Sequence, residues 1–193
     1  MSLVIVSGWP AAGKTTLAAA LAGPLEAALL AKDEIKEALF DSLGTGDRAW
    51  SRQLSDAAYA VMFRLAARRL ERGLATIVEG NFERARHAAR LEELVALGAG
   101  RALEVFCHAP PALLLARSRA RLGGARHAGH DDAGLLAELE ALYAGGVQSP
   151  LGVAREVIAV DTADTCVTLG EHVEKIVRRV AAMPPIATGK GNR

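Results

Sequence analysis

The sequence predicts a three-layer α/β/α sandwich around a five-stranded parallel sheet. Three observations carry the expectation. Short apolar runs alternate with segments of helical periodicity along the chain, the pattern of successive βα units. The first run leads through a glycine-rich turn directly into a helix. A composition of 51% hydrophobic and 23% charged residues over 193 positions supplies one core of ordinary size. One domain is therefore expected over residues 1–183, with a small lid at about 121–134 and a flexible tail at 184–193.

Leu3-Val4-Ile5-Val6 is a β-branched apolar run ending at Ser7-Gly8, as a strand buried on both faces does. A helix is expected from Lys14 through Ala22, with Gly23-Pro24 as its stop. Ala27 to Ala31 forms a second strand, and Asp33 stands where a helix N-cap belongs, ahead of a helix over Glu34 to Phe40. Ser42 to Asp47 has the composition of a loop. Apolar positions recur at helical spacing from Ala49 to Glu71, with Arg64, Arg68 and Arg72 on another face and Gly73 as the stop. Ala75 to Val78 is the third strand, a polar helix covers about 83–97, and Ala102 to Cys107 is the fourth strand. Pro110-Pro111 opens a helix that runs to about Arg121. Gly123 to His130 reads as a flexible excursion, followed by a short helix at about 133–143. Glu156 to Val160 is the fifth strand and Gly170 to Ala182 a closing helix.

Lys and Arg together number 23 against 22 Asp and Glu, a net charge of +1. That balance disfavours nucleic acid or an anionic membrane as partner, and 4% aromatic content disfavours a base-stacking surface. Cys107 and Cys166 are too few for a disulfide framework and fit a reducing compartment. The apolar stretch Leu17 to Ala31 is broken by Pro24 and Glu26, and no run reaches the roughly 18–20 residues of a membrane helix. A soluble cytoplasmic protein is expected, either monomeric or a homodimer.

The most specific signal is Gly8-Trp9-Pro10-Ala11-Ala12-Gly13-Lys14-Thr15, a complete GxxxxGK[ST] motif between a predicted strand and a predicted helix. Gly8 and Gly13 let the backbone curl so that successive N–H groups, including those at Ala11, Ala12 and Thr16, face an anion at the helix N-terminus. Lys14 reaches the β- and γ-phosphates of a nucleotide, and the Thr15 hydroxyl is placed to ligate Mg²⁺. Trp9 either stacks on a ligand or is an incidental loop aromatic.

The chain has no Asn-Lys-x-Asp guanine reader, and its length leaves no room for the added helical domain of large ATPase machines. What remains is the group of small P-loop kinases. Ala31-Lys32-Asp33-Glu34-Ile35-Lys36-Glu37 resembles their Asp-x-x-Arg segment, with Lys36 in the Arg place. Ile77-Val78-Glu79-Gly80-Asn81-Phe82 is similar to their acidic strand end, and Leu113 to Arg121, followed by Arg126, to the paired arginines that lead into their lid. The pattern covers the chain to about residue 182 and looks most like the zeta-toxin and chloramphenicol-phosphotransferase branch. The resemblance implies ATP and Mg²⁺ as cofactors, a nucleoside-monophosphate-kinase-like fold, and transfer of the γ-phosphate to a small-molecule hydroxyl.

Asp33, at the end of a strand on the ligand-binding edge, can accept the proton of an attacking hydroxyl, the role the resemblance also implies; its alternative is a helix cap alone. Lys36 is expected at the acceptor. Glu79 orients Mg²⁺ through a water, holds the acceptor, or is tied to the backbone or Arg84. Asn81 and Phe82 line the acceptor pocket or cap the next helix. Arg117 and Arg121, four apart on one helix, are expected to close over the γ-phosphate, with Arg126 at the nucleotide, while Arg119 is solvated. Segment 41–62, with Asp47, Arg48, Trp50, Arg52 and Tyr59, is a polar and aromatic mix suited to gripping a small polar molecule; Trp50 and Tyr59 are alternatively core anchors, and Tyr59 leans to the core. His127-x-x-His130-Asp131-Asp132 reads as a solvated lid tip rather than a metal site. Two competitors stay open. Nucleoside-monophosphate kinases share the strand-end Asp, but Gly-Lys-Thr-Thr and Glu79-Gly-Asn-Phe-Glu-Arg depart from their usual segments. A nucleotide-binding switch would need neither Asp33 nor the lid arginines.

Overall fold

A computed structural model describes residues 2–98, 101–121 and 132–184. Arg126, the His127 to Asp131 cluster and nearly all of the expected tail lie outside the described residues, and so does most of the expected lid.

Five strands and seven helices occur in the order β1 (Leu3–Ser7), α1 (Lys14–Ala22), β2 (Ala28–Ala31), α2 (Lys32–Leu43), α3 (Arg48–Glu71), β3 (Thr76–Glu79), α4 (Arg84–Leu97), β4 (Ala102–His108), α5 (Pro111–Ala120), α6 (Asp132–Gly145), β5 (Glu156–Asp161) and α7 (Leu169–Ala182). All pairings are parallel, in the sheet order β2-β3-β1-β4-β5. Parallel neighbours need crossovers, and these put helices on both faces. Strand periodicity then divides β1 between two cores. Val4 and Val6 pack with Leu17, Leu21, Leu114 and Ile176 on one face, while Leu3 and Ile5 pack with Met62, Leu70, Leu91 and Leu94 on the other. Every predicted strand and helix is present, with ends within a residue or two except at α2, which runs on past Phe40 to Leu43. Asp33 is not the N-cap of α2: Ala31 holds that place without a side-chain hydrogen bond, and Asp33 lies in the first turn. Its carboxylate there complements the positive end of the helix without capping it.

The strand order reverses about β1, which opens a crevice beyond the carboxyl ends of β2, β3 and β1. The far wall of that crevice is fastened by a residue that no local pattern singles out. Glu104 sits mid-strand in β4, fully buried, and accepts three hydrogen bonds: Ser7 Oγ at 2.8 Å, Leu151 N at 2.7 Å and Gly152 N at 2.9 Å. Arg84 at the start of α4 donates to the Leu151 carbonyl from the other side. The loop at 149–152 is thus pinned to both the sheet and α4. Glu104→Ala strands a buried hydroxyl and backbone donors, and is expected to lower the unfolding free energy by on the order of 2–4 kcal/mol in urea denaturation. A loss below about 1 kcal/mol would mean that solvent replaces these bonds.

Candidate active site

The turn after β1 is built for an anion. Gly8 has φ 136°, and a Cβ there would lie 2.1 Å from the Cys107 carbonyl oxygen, so only glycine fits. Ala11 (φ 61°) and Gly13 (φ 78°) are also left-handed, and this alternation curls the backbone into a concave run of amides at the start of α1. Ala12 is buried beneath it, its N–H closing a turn on the Trp9 carbonyl at 3.2 Å. Lys14 is 6% exposed, and its ammonium donates to the same carbonyl at 2.8 Å. Burial lowers its pKa, opposed by the charges of Glu79 and Asp33.

Glu79 ends β3 directly beside the turn and is 4% exposed. Burial raises its pKa against the pull of Lys14. Thr15 Oγ1 lies 3.4 Å from its Oε2. A hydroxyl and a carboxylate converging on one point are the hard oxygen donors that suit Mg²⁺ when phosphates and water complete the shell. Among the described residues no cluster of three or more His, Cys, Asp or Glu forms another metal site. Cys107 adds no nucleophile here, because burial pushes its thiol up to about 12.

Gly8, Ala11, Gly13, Lys14, Thr15 and Glu79 line one cleft of about 910 Å³, together with Thr16, Asp33, Lys36, Asn81, Phe82 and Arg121. Asp33 is paired with Lys32 at 2.9 Å and keeps 39% of its side chain exposed. Lys36, buried at the wall, donates to Ser51 Oγ at 2.8 Å. Tyr59 donates its phenol to the Asn81 carbonyl at 2.9 Å and stacks among Phe63, Phe82 and His87, so it is both core anchor and cleft floor.

Two residues expected at the cleft, Trp50 and Arg117, stand elsewhere. Trp50 is not among the cleft residues: its indole donates to the Gly44 carbonyl and packs on Gly46. Arg117 and Arg121 do not act as a pair. Arg117 grips Thr162 through its carbonyl (2.7 Å) and hydroxyl (2.9 Å) and reaches the Ala11 carbonyl at 3.5 Å, bracing the phosphate turn from behind. Arg121 alone faces the cleft, close enough to Lys14 to lower its pKa. Arg119 pairs with Glu140 at the surface.

Sequence reasoning named Arg48, Arg52 and Tyr59 in this segment but missed the rest of a stripe on α3. Ser51, Ser55 and Asp56 join Arg48, Arg52 and Tyr59 on the cleft wall. Their spacing of three and four is that of a single helix face and was available as a signal. It also missed α6 as the roof. Tyr143 stacks on Trp9 with centroids 5.4 Å apart and donates to the Pro10 carbonyl at 2.9 Å, which gives Trp9 a structural partner.

The AAA domain family matches this chain over residues 3–142. The chain belongs to that family. A provisionally assigned kinase of Chloroflexus aurantiacus J-10-fl is 34% identical, with TM-score 0.81, over 92% of this chain and 97% of that one. A sugar kinase of Janibacter sp. HTCC2649 (20% identity, TM-score 0.55, 97% and 99% covered) shares the fold of this AAA domain protein. So does a gluconokinase of Sinorhizobium meliloti 1021 (20%, 0.55, 93% and 91%). A comparison with curated proteins gave no match. The P-loop kinase-like fold is therefore shared across these structures. No helix among the described residues is long and apolar enough to cross a membrane.

His87 supports the cleft floor in its neutral form, accepting the Glu83 N–H at Nδ1 (2.9 Å). Burial first, then Arg86, holds its pKa below the ordinary value of 6.5. As pH falls through 6.5 the unfolded chain takes up a proton that the folded chain refuses, so stability is lost toward the lower folded pKa. Asparagine at this position keeps an acceptor and does not titrate. His87→Asn is therefore expected to flatten the fall in melting temperature between pH 7 and 5, whatever it does to the plateau. A parallel curve would rule out His87 as the source of the slope.

Proposed function

We propose that this AAA domain protein is an ATP-dependent, Mg²⁺-dependent phosphotransferase that moves the γ-phosphate to a hydroxyl of a small molecule, as in the zeta-toxin and chloramphenicol-phosphotransferase branch. One observation carries the reading: Asp33 lines the same cleft as the phosphate turn and Lys14, close enough for its charge to act on Lys14.

Residues 8–16 bind the phosphate chain through the curled backbone, and Lys14 supplies the point charge at the transferred group. Thr15 would hold a Mg²⁺ ion and Glu79 would orient its water, and the ion would supply positive charge against the charge developing on the phosphates. The acceptor oxygen forms a bond to the γ-phosphorus as the bond to the β–γ bridging oxygen breaks. The hydroxyl proton passes to Asp33, and ADP leaves with the bridging oxygen. Lys32 pairs with Asp33 at 2.9 Å and so holds in place the carboxylate that takes the proton. Lys36, Asn81 and Phe82 position the acceptor, and Arg121 stabilises charge on the transferred phosphate. Arg117 acts one step back by holding the turn in shape, and Arg126 is proposed at the nucleotide from the sequence alone.

The experiment is a transfer screen with ATP against sugars, polyols, nucleosides, nucleoside monophosphates and phenicol-like alcohols, with the product identified by mass. On the accepted compound, Asp33→Asn is expected to lower kcat by about two to four orders of magnitude, because the alcohol has no other base. Its melting temperature should move little, since the helix end loses only about 0.3–1 kcal/mol. A loss milder than that of Lys36→Ala would instead favour a nucleoside monophosphate, whose acceptor oxygen is already ionised.

The two arginines separate in the same assay. Arg121→Ala is expected to cut kcat at least tenfold with ATP affinity nearly unchanged, a transition-state contact of about 1.4 kcal/mol or more. Arg117→Ala should raise the KM for ATP by loosening the turn. Equal effects on both parameters in both variants would contradict this division.

A further inference from the structure

The mouth of the acceptor pocket holds a carboxylate in a fork of two guanidinium groups. Arg48 and Arg52, one turn apart on α3, both reach Glu138 of α6 across the opening. Arg48 Nε lies 3.1 Å from Glu138 Oε1, its Nη2 donates to Oε2, and Arg52 Nη2 lies 3.0 Å from Oε1. That is the bidentate geometry by which arginine recognises carboxylate and phosphate. The pair opens to solvent, with Arg52 66% and Glu138 45% exposed at the side chain, and exposed ion pairs are held weakly. Lys36, tied through Ser51 to the same face of α3, adds a third cation to this wall. In a chain of net charge +1, the cleft gathers eight cationic side chains against five carboxylates.

Resting on the phosphotransferase reading, we propose that the acceptor is an anionic alcohol, whose carboxylate or phosphate takes the seat that Glu138 occupies between Arg48 and Arg52. The exchange is balanced in charge. One carboxylate swings out to water, another anion enters, and the guanidinium groups stay paired throughout. The hydroxyl end of the acceptor then lies along the Ser51 and Lys36 wall toward Asp33. A neutral polyol of the same shape lacks the charge to displace Glu138, so the fork selects against it.

The test uses the full chain with Mg²⁺ and a non-hydrolysable ATP analogue, and probes that share a carbon skeleton but end in a hydroxymethyl, a carboxylate or a phosphate ester. Glycerol, glycerate and glycerol 3-phosphate form one series; sorbitol, gluconate and sorbitol 6-phosphate form another. Calorimetry is expected to show at least tenfold tighter binding of a charged member than of its neutral counterpart. Carboxylate and phosphate arms separate the two anion types. Arg52→Ala and Arg48→Ala should each abolish at least most of that preference, and raise KM far more than they change kcat where transfer occurs. Glu138→Gln should tighten the charged probe about threefold or more, because the competing carboxylate is gone. A neutral member bound as well as its charged counterpart in wild type overturns the anion seat, even where transfer is seen. Weaker or unchanged binding in Glu138→Gln also overturns it, making Glu138 part of the wall rather than the occupant. Charge-selective binding lost in Arg52→Ala, with no transfer from ATP to any probe, leaves the anion seat standing and contradicts the phosphotransferase reading.

Discussion

Lys14 carries an ammonium ion into the interior of the protein, and the surrounding structure is arranged to make that tolerable. A buried cation without partners is costly, and here burial does depress its pKa. The Trp9 carbonyl accepts from it, and the carboxylates of Glu79 and Asp33 lie close enough to oppose the depression. Glu79 is itself buried and pushed up, so the two groups offset one another incompletely. An anion of several charges arriving at the curled amides would complete the set. The turn therefore favours a polyphosphate on electrostatic grounds as well as by shape.

Around that buried ammonium the cleft has two differently built walls. The phosphate wall is rigid, formed by Gly8 against the Cys107 carbonyl and by Arg117 on Thr162. The opposite wall depends on contacts distant in sequence: Lys36 to Ser51, Tyr59 to Asn81, and the 149–152 loop on Glu104 and Arg84. The helix α6 spans the two, resting Tyr143 on the turn at Trp9 while Glu138 reaches α3. Small changes in α6 therefore bear on both walls at once.

The parts of this architecture legible in the sequence are those encoded within a few residues. β-branched runs bounded by glycine marked the strands, and the eight residues from Gly8 to Thr15 marked the turn because strand, glycines, lysine and helix are contiguous. The acidic strand end at Glu79 and the segment around Asp33 were legible for the same reason. Asp33 was misplaced by two positions within its helix, because Ala31, a poor cap, starts α2 by tertiary packing rather than by capping. Trp50 drew attention as an aromatic in a polar segment, yet its indole closes the preceding loop. Arg117 and Arg121 do not work as a pair because Thr162, distant in sequence, takes the Arg117 guanidinium while Arg121 lines the cleft. Glu104 was invisible, since a single acid in an apolar strand gains its meaning from backbone donors 47 and 48 residues away.

Everything proposed for the cleft requires that the turn at residues 8–16 receive the phosphates of ATP and that Lys14 meet the terminal one. The decisive measurement is calorimetric titration of the protein and of Lys14→Met with Mg²⁺ and a non-hydrolysable ATP analogue, with the corresponding ADP titration beside it. Methionine keeps the length and apolar stem of lysine, so the fold should persist while the charge is lost. Wild type is expected to bind the triphosphate more tightly than the diphosphate, and Lys14→Met to lose at least about a hundredfold in triphosphate affinity, some 2.7 kcal/mol. Equal affinity for the triphosphate in the two proteins would show that Lys14 does not meet the terminal phosphate.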